Sequence, residues 1–438
     1  VNPGNNMLKI GICGYGTVGQ SFVEHLRAHD YKIQSSVSEE FEIALIADRS
    51  IDKKEYNKDI AVTKDVMEMT SDSNINIIVE LIGGIDIPYK VITSAIKNKK
   101  HVITANKALI AEHGDEIFKL AKEHDVYFGF EASVAGAIPI IQTLTNSMSN
   151  ENILSITGII NGTCNYILDQ MSSHGLEFND ALDEAKKLGY AEADPTFDIN
   201  GMDAAHKISI LASLVYKIKS PLKNTYVEGI ENITTMDIEY AKELGYSIKH
   251  VGITNKKNDS IQCRVHPVLI HKDNILSQVL GVMNALLITG DKFGTSMLYG
   301  NGAGGDATAS AVVTNLVEAI NFSSGKDLRN KNIFKSSGEN SFNISKNEDI
   351  ASPFYLRIYA HDISGVMAEI TNVLANEDIS IEAVTQHEPT DLDSLIPIVM
   401  ITNNVNGVSI SNAIKKIEYL AHVEVKVQAI RVMKTDER

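Results

Sequence analysis

The first residues with recognisable chemistry are three glycines. Gly14-Tyr-Gly16-Thr-Val-Gly19 follows the apolar run Leu8–Cys13 and leads into a helical pattern over 17–29. In that strand-to-helix setting the spacing points to a dinucleotide site rather than an ordinary βα turn. Gly14 would make the tight turn, Gly16 would let the backbone approach a pyrophosphate, and Gly19 would let the helix pack on the strand. Thr17 and Val18 would then offer helix N-terminal N–H groups to the phosphates. The next apolar run ends Ile46-Ala-Asp48-Arg49-Ser50. Asp48 suits a ribose 2′-hydroxyl and so NAD, whereas Arg49 suits the 2′-phosphate of NADP. Lys53 and Lys54 follow closely and tilt the balance slightly towards NADP.

Two lysines could move a proton. Lys107 closes His101-Val-Ile-Thr-Ala-Asn-Lys107, just past the carboxyl end of a strand, the edge where open α/β sheets bind ligands. Taken alone, it is equally well a surface lysine opening a helix. Asp203 and Lys207 lie four apart in Gly-Met-Asp203-Ala-Ala-His-Lys207. A solvated pair at this spacing would be worth about 0.2–0.5 kcal/mol. On a helix, however, both fall in the arc of Ile210, Leu211 and Leu214, with Ser209 and Ser213 opposite. Charge within an apolar face is costly and so points to function. His25 and His29 share a helix face but have no third ligand nearby, and read as solvated helix residues.

Longer motifs resemble one family. ELIGG at 80–84, HVITANKALIAEHG at 101–114, FEASVAGAIPII at 130–141 and NGTCNYIL at 161–168 resemble homoserine dehydrogenases. So do LGYAEADPTFDINGMDAAHK at 188–207, VEGI at 227–230, RVHPVLI at 264–270 and YGNGAGGDATASAVV at 299–313, and the similarity covers residues 7–322. The resemblance implies reversible, NAD(P)H-dependent reduction of L-aspartate 4-semialdehyde to L-homoserine, on the way to threonine and methionine. It makes Lys107 and Lys207 the candidate proton donors, and Asp203 a group orienting Lys207 or the substrate. Glu192 would bind the substrate's amino group, with Tyr190 and Asp198 beside it in the same motif. Gly83, Thr104, Asn161 and Gly302 would lie near the nicotinamide or its ribose. It also implies a structural sodium ion (Na+) at Glu131, Val134 and Gly136, held chiefly by backbone carbonyls. Cys164 stands where the family often has Thr, and Asn301 where a basic residue is frequent.

Near the C-terminus, His361-Asp362-Ile-Ser-Gly365-Val366 resembles the strand-to-helix loop of ACT domains, with Ser364 replacing a common proline. Asp362 would take an amino acid's ammonium, and the N–H groups after Gly365, beginning at Val366, its carboxylate. The implied effector is threonine; the alternative is a domain that only pairs subunits.

These residues need elements to place them. Leu8–Cys13, Glu42–Ala47, Ile77–Ile82, His101–Ala105 and Val126–Phe130 read as strands separated by helical stretches, the mark of a parallel sheet covered on both faces. The expected class is α/β: a Rossmann-type doubly wound sheet at 7–131, then an α+β substrate and dimerisation domain at 132–305. A helix at 306–322 would return to the first domain. A Ser-, Asn- and Lys-rich linker spans 323–352, and a ferredoxin-like βαββαβ unit, ACT in kind, spans 353–435. In the third domain, strands are expected at 354–360, 380–386, 395–401 and 423–432.

Bulk properties exclude several partners. A chain of 438 residues exceeds one core. A net charge of −16 argues against nucleic acid or an anionic membrane. No apolar run reaches the roughly 18–20 residues of a membrane helix, and the N-terminus lacks a signal peptide's blocks. Cys13, Cys164 and Cys263 are far apart, which fits reduced, buried thiols and the cytoplasm. Folded sequence is expected from Met7, with the preceding six residues a lead-in, and the chain is expected to be monofunctional and a homodimer or homotetramer. Two other readings remain: another amino-acid or hydroxy-acid dehydrogenase, or a nucleotide-gated sensor without catalysis. The first lacks a different catalytic pair, and the second predicts lost lysines, yet both are present.

Overall fold

The computed structural model describes residues 7–325, 342–387 and 395–433. The lead-in of six residues and positions 326–341 of the expected linker lie outside the described residues. Contacts divide the chain into two units. The first comprises Val1–Leu154, His206–Lys223 and Gly290–Phe342, and the second Ser155–Ala205, Asn224–Thr289 and Asn343–Arg438.

In the first unit, apolar β-rich runs form six strands: β1 (Leu8–Cys13), β2 (Phe41–Ala47), β3 (Ala61–Thr63), β4 (Ile77–Glu80), β5 (His101–Thr104) and β6 (Phe128–Gly129). They pair in the order β3-β2-β1-β4-β5-β6, and every pairing is parallel. This is the doubly wound dinucleotide-binding order, which reverses beside β1. Ile10, Ile12, Ile77 and Val79 are fully buried, as strands covered on both faces require. Helix Gly305–Ser323 packs on helix Thr17–Ala28, sharing a core of Phe22, Val23, Val312 and Leu316. A Cβ on Gly305 would meet Ser21 Oγ at 2.7 Å, so glycine permits the approach.

In the second unit the strands are β7 (Ile153–Ile159), β8 (Tyr226–Val227), β9 (Tyr246–Lys257), β10 (Ser260–His271) and β11 (Met283–Gly290). β12 (Gly294–Asn301) falls in the first unit. The chain then forms β13 (Asn343–Ile344), β14 (Phe354–His361), β15 (Ile381–Gln386), β16 (Leu395–Thr402) and β17 (Gln428–Met433). These pair in the order β11-β7-β9-β10-β17-β14-β16-β15, with β8 and β13 also on β10. The C-terminal βαββαβ unit is thus joined to the preceding sheet through β17, where Val268 pairs with Arg431 and Ile270 with Met433. Helices Val366–Asn376 and Gly407–Glu418 bury one core with its sheet. Tyr355, Val399 and Ile430 turn the other way, onto Ile167 and Met171 of helix Gly162–His174 and Ile238 of helix Thr235–Glu243.

The expected α/β class is the observed one. Several boundaries differ. Only Phe128–Gly129 of the strand expected at 126–130 pairs, because Val126 N–H still bonds Ala121 O at the preceding helix end. The last strand starts at Gln428, with Val423 forming a lone bridge to Ala360. Ser209, expected on an outer face, is fully buried, so helix Met202–Tyr216 is covered on more sides than its pattern implies.

Candidate active site

The glycine loop opens the cofactor half of the site in the first unit. Gly14 has φ +95°, and a Cβ there would stand 2.6 Å from Leu81 O. A Cβ on Gly19 would collide with Gly14 O, whereas Gly16 faces open space. Helix Thr17–Ala28 has no side-chain cap, which leaves its first N–H groups for an anion. Beside it lies a cavity of about 580 Å3 whose lining includes Gly14, Gly16, Asp48, Arg49, Lys64 and Lys90. Asp48 Oδ2 accepts from Tyr15 N–H at 2.8 Å and Lys54 Nζ at 2.6 Å. Its Oδ1 accepts Ser50 N–H and Oγ–H, both at 2.8 Å. Burial opposes the charge on Asp48, but these bonds outweigh it and hold the carboxyl well below the usual range. The glycines, helix terminus and cavity fit a dinucleotide.

A buried brace positions Lys107. Glu80, at the end of β4, accepts Thr104 Oγ1–H at 2.6 Å and Ile82 N–H at 2.7 Å. Burial raises its pKa, against the bonds from Thr104, Ile82 and Gly83. Thr104 Oγ1 in turn accepts Asn106 N–H at 3.0 Å. Asn106 caps helix Lys107–His124 through Leu109 N–H at 3.1 Å and ties Gly84 O at 2.6 Å. Lys107 therefore leaves a fixed helix start, half-buried, near Gly83 and Gly84, whose φ angles of +81° and +77° shape the β4 loop.

The second unit gathers the expected substrate residues. Asn161 caps helix Gly162–His174 by accepting Cys164 N–H at 2.7 Å, while its Nδ2 donates to Asp198 Oδ1 and Asp203 Oδ2, each at 2.8 Å. Thr163 Oγ1 donates to Tyr190 O at 2.6 Å, and Cys164 Sγ donates to Asp198 O at 3.2 Å. The departure at Cys164 therefore keeps a donor on Asp198. Tyr190 packs at a tilt on Tyr166, ring centroids 5.0 Å apart, and Glu192 is exposed. Asp203, 3% exposed, lies on helix Met202–Tyr216, and Lys207, 7% exposed and one turn further along that helix, falls in the first unit. His250, buried under the same segment, bonds Glu228 O at 3.0 Å through Nε2. Burial lowers its pKa to about 4, against that bond and the charge of Asp203.

At the expected cation segment, Glu131 receives Ile141 N–H at 2.9 Å and Gln142 N–H at 2.8 Å, one on each carboxylate oxygen. Burial raises its pKa to about 7, against those two bonds and with help from Glu318. Val134 precedes a turn in which Ala135 and Gly136 have φ +58° and +52°. A Cβ on Gly136 would meet the Gly302 carbonyl carbon at 2.7 Å, so this turn and the Gly302 loop are in contact. In the C-terminal unit Asp362 is exposed, and Gly365 (φ +102°) opens helix Val366–Asn376, which has no side-chain cap. His25 and His29 pack in a tilted contact with ring centroids 4.6 Å apart.

The residue reading missed Glu80 and His250 as parts of this machinery. Glu80 carried a signal, a lone acid closing the apolar run Ile77-Ile-Val-Glu80. His250 carried none, since its neighbours come from Gly201 and Glu228.

A doubly wound dinucleotide fold, with buried acid and lysine groups and a C-terminal βαββαβ unit, defines a nicotinamide-dependent oxidoreductase. Family models agree: homoserine dehydrogenase matches residues 139–317, its NAD-binding domain 14–131, and the ACT domain 354–422. A homoserine dehydrogenase of Pseudomonas aeruginosa is 41% identical over 427 residues, 97% of this chain and 98% of that protein. The crystal structure of a homoserine dehydrogenase from Thiobacillus denitrificans superposes with a TM-score of 0.92 at 39% identity, covering 98% of each chain. A hyperthermophilic archaeal homoserine dehydrogenase in complex with NADPH covers 72% of this chain and 97% of its own, with a TM-score of 0.58 at 28% identity. The chain belongs to the homoserine dehydrogenase family. It interconverts L-aspartate 4-semialdehyde and L-homoserine with a nicotinamide cofactor and carries an ACT domain. No described helix is long and apolar enough to cross a membrane.

Proposed function

We propose that Lys207 carries the proton of this reaction, with Lys107 fixing the substrate oxygen from its braced helix start. The observation behind this is the burial of Asp203 and Lys207 together on helix Met202–Tyr216. Reduction adds a hydride to the aldehyde carbon, supplied by the nicotinamide when bound, and a proton to its oxygen. Lys207 Nζ gives that proton and recovers it from the hydroxyl in the reverse direction. Asp203, already held by Asn161, orients the ammonium of Lys207, and Asp198 shares the same amide. Glu192 and Tyr190 take the amino-acid end of the substrate. A sodium ion would rest on backbone carbonyls of the 131–136 turn, because both Glu131 oxygens already accept N–H groups.

NADP is the preferred cofactor in this reading. Asp48 is saturated by Tyr15, Ser50 and Lys54, while Arg49, Lys64 and Lys90 line the adjoining cavity, which suits a 2′-phosphate. The NADPH complex of the archaeal relative points the same way. Arg49→Ala is expected to lower kcat/KM for NADPH by about 10-fold, as loss of one charged hydrogen bond does. The NADH value should stay within about twofold; absorbance at 340 nm with each cofactor checks this. Equal losses would remove Arg49 from the discrimination.

The ACT domain senses threonine at Asp362 and the uncapped N–H groups after Gly365, including Val366. Inhibition requires that threonine bind the less active state more tightly. Asp362→Ala is expected to abolish threonine inhibition while leaving the uninhibited rate within about twofold, measured by initial rates across a threonine titration. Unchanged inhibition would discard the contact. The three buried cysteines, none in a disulfide, fit a cytoplasmic location. Exposed Ile275 and Leu280 in the second unit, and Tyr299 on β12, fit burial in a homodimer or homotetramer.

A further inference from the structure

In the first unit, Glu80 is a fully buried acid to which no cation bonds among the described residues. It ends β4 and pairs in register with Cys13 on one side and Thr104 on the other. Those are the last residues of β1 and β5. Glu80 therefore stands at the carboxyl edge of the sheet, next to β1, where the strand order reverses. A dinucleotide crosses a doubly wound sheet at that edge, with one nucleotide over each half. Asp48 follows β2 on the adenosine half, which leaves β4 and β5 to the nicotinamide half.

The bonds around Glu80 suit a charged carboxylate. Its Oε2 accepts Thr104 Oγ1–H at 2.6 Å and its Oε1 accepts Ile82 N–H at 2.7 Å, with Gly83 N–H a further donor. Thr104 Oγ1 already accepts Asn106 N–H at 3.0 Å, so its own proton is directed at Glu80. Burial pushes the pKa of Glu80 up, and these bonds oppose it. Every neighbour donates and none is charged, so the negative charge is eased but not cancelled. Its field reaches the groups around it: the Cys13 thiol is pushed up by burial first and by Glu80 second. A brace alone would need hydrogen bonds and no charge. A neutral amide would supply most of them at a lower cost of burial.

The two redox forms of a nicotinamide differ in the property that Glu80 can sense. The oxidised ring is a cation and the reduced ring is neutral, so a fixed negative charge on this edge tells them apart. We propose that Glu80 is the fixed counter-charge for the oxidised nicotinamide ring, favouring the oxidised over the reduced cofactor. When a hydride passes from the ring to the aldehyde carbon, the ring becomes positive, and a preorganised negative charge favours that direction. The charge acts through space, whereas the brace on Lys107 acts through bonds. The inference rests on a nicotinamide cofactor and not on the preference for NADP, because NAD carries the same ring.

The test is a ratio of dissociation constants for the full chain. NADPH binding is followed by cofactor fluorescence and NADP+ binding by isothermal titration, with NADH and NAD+ run in parallel. Glu80→Gln removes the charge and keeps an oxygen for Ile82 N–H. It should raise the NADP+ constant relative to the NADPH constant about 5–20-fold, as loss of one partly screened unit charge within about 10 Å would. Thr104→Val cuts one bond of the brace but keeps the charge, and should leave the ratio within about twofold. Glu80→Asp also keeps the charge and should hold the ratio within about threefold. A loosened loop weakens both redox forms alike, which moves the constants and not their ratio. If Glu80→Gln is unstable, the rises in Tm produced by each cofactor give the same comparison. An unchanged ratio in Glu80→Gln would overturn the counter-charge, as would an equal shift in Thr104→Val. The NADP preference is read separately, by comparing NADPH with NADH, so either reading can fail alone.

Discussion

Lys207→Ala is expected to lower kcat for homoserine oxidation by about 10²–10⁴-fold, the range that a positioned general acid or base contributes. The dissociation constant for NADPH should stay within about twofold, because the glycine loop and the β2 end lie on other elements. A group acting only in the transition state lowers kcat and kcat/KM together, whereas one that only binds substrate raises KM. Lys207→Arg separates charge from proton transfer. A guanidinium keeps the positive charge beside Asp203 but does not release its proton near neutral pH. If Lys207 merely held an anionic group, arginine would restore most of the rate; as proton carrier it should leave kcat close to that of alanine. Tritium or deuterium on the reacting carbon adds a further check, since slowing proton transfer changes the isotope effect on kcat. Near-normal turnover of Lys207→Ala would take it out of the chemical step and leave Lys107, on its Glu80–Thr104–Asn106 brace, as the donor.

The cofactor half was legible because its signals are local. Apolar runs at 8–13, 77–80 and 101–104 each lead into candidate site residues, and the glycine spacing sits inside six residues. The helix carrying Asp203 and Lys207 was legible from its period, although burial of Ser209 exceeds what a one-sided stripe implies. Non-local bonds left no such mark. Asn161 was assigned to the nicotinamide side by resemblance, and its amide spans Asp198 and Asp203, 37 and 42 residues onward. Strand β12, Gly294-Thr-Ser-Met-Leu-Tyr-Gly-Asn301, holds two glycines and no buried residue, so neither propensity nor alternation announces it. Strand β7, Ile153-Leu-Ser-Ile-Thr-Gly-Ile159, has the apolar content of a strand, but its antiparallel partner β9 begins almost ninety residues later. The parallel seam of β17 on β10 depends on a pairing between Val268 and Arg431 that period-two alternation in either strand cannot select.

Asp237→Ala is expected to cost about 3–5 kcal/mol, the penalty for breaking a buried ion pair from one side. Asp237 is fully buried at the first turn of helix Thr235–Glu243. Its Oδ1 accepts Arg357 Nε at 2.6 Å and Tyr355 O–H at 3.1 Å, both from β14. Its Oδ2 accepts Arg357 Nη2 at 3.0 Å, Thr234 Oγ1–H at 2.7 Å and Thr234 N–H at 3.0 Å. One carboxylate therefore closes a helix capping box and clamps the first strand of the ACT unit to that helix. Alanine leaves a buried guanidinium with no carboxylate and a tyrosine hydroxyl without its acceptor. Urea unfolding followed by tyrosine fluorescence suits a chain with 15 tyrosines and no tryptophan, and the midpoint should fall steeply. Asp237→Leu combined with Arg357→Met should recover most of the loss, since an apolar pair of similar volume avoids desolvating two charges. Recovery of stability would show that the pair adds little net energy and serves to fix the register between β14 and the helix. If the double variant stays as unstable as Asp237→Ala, the ion pair itself carries that energy, together with the capping box it completes.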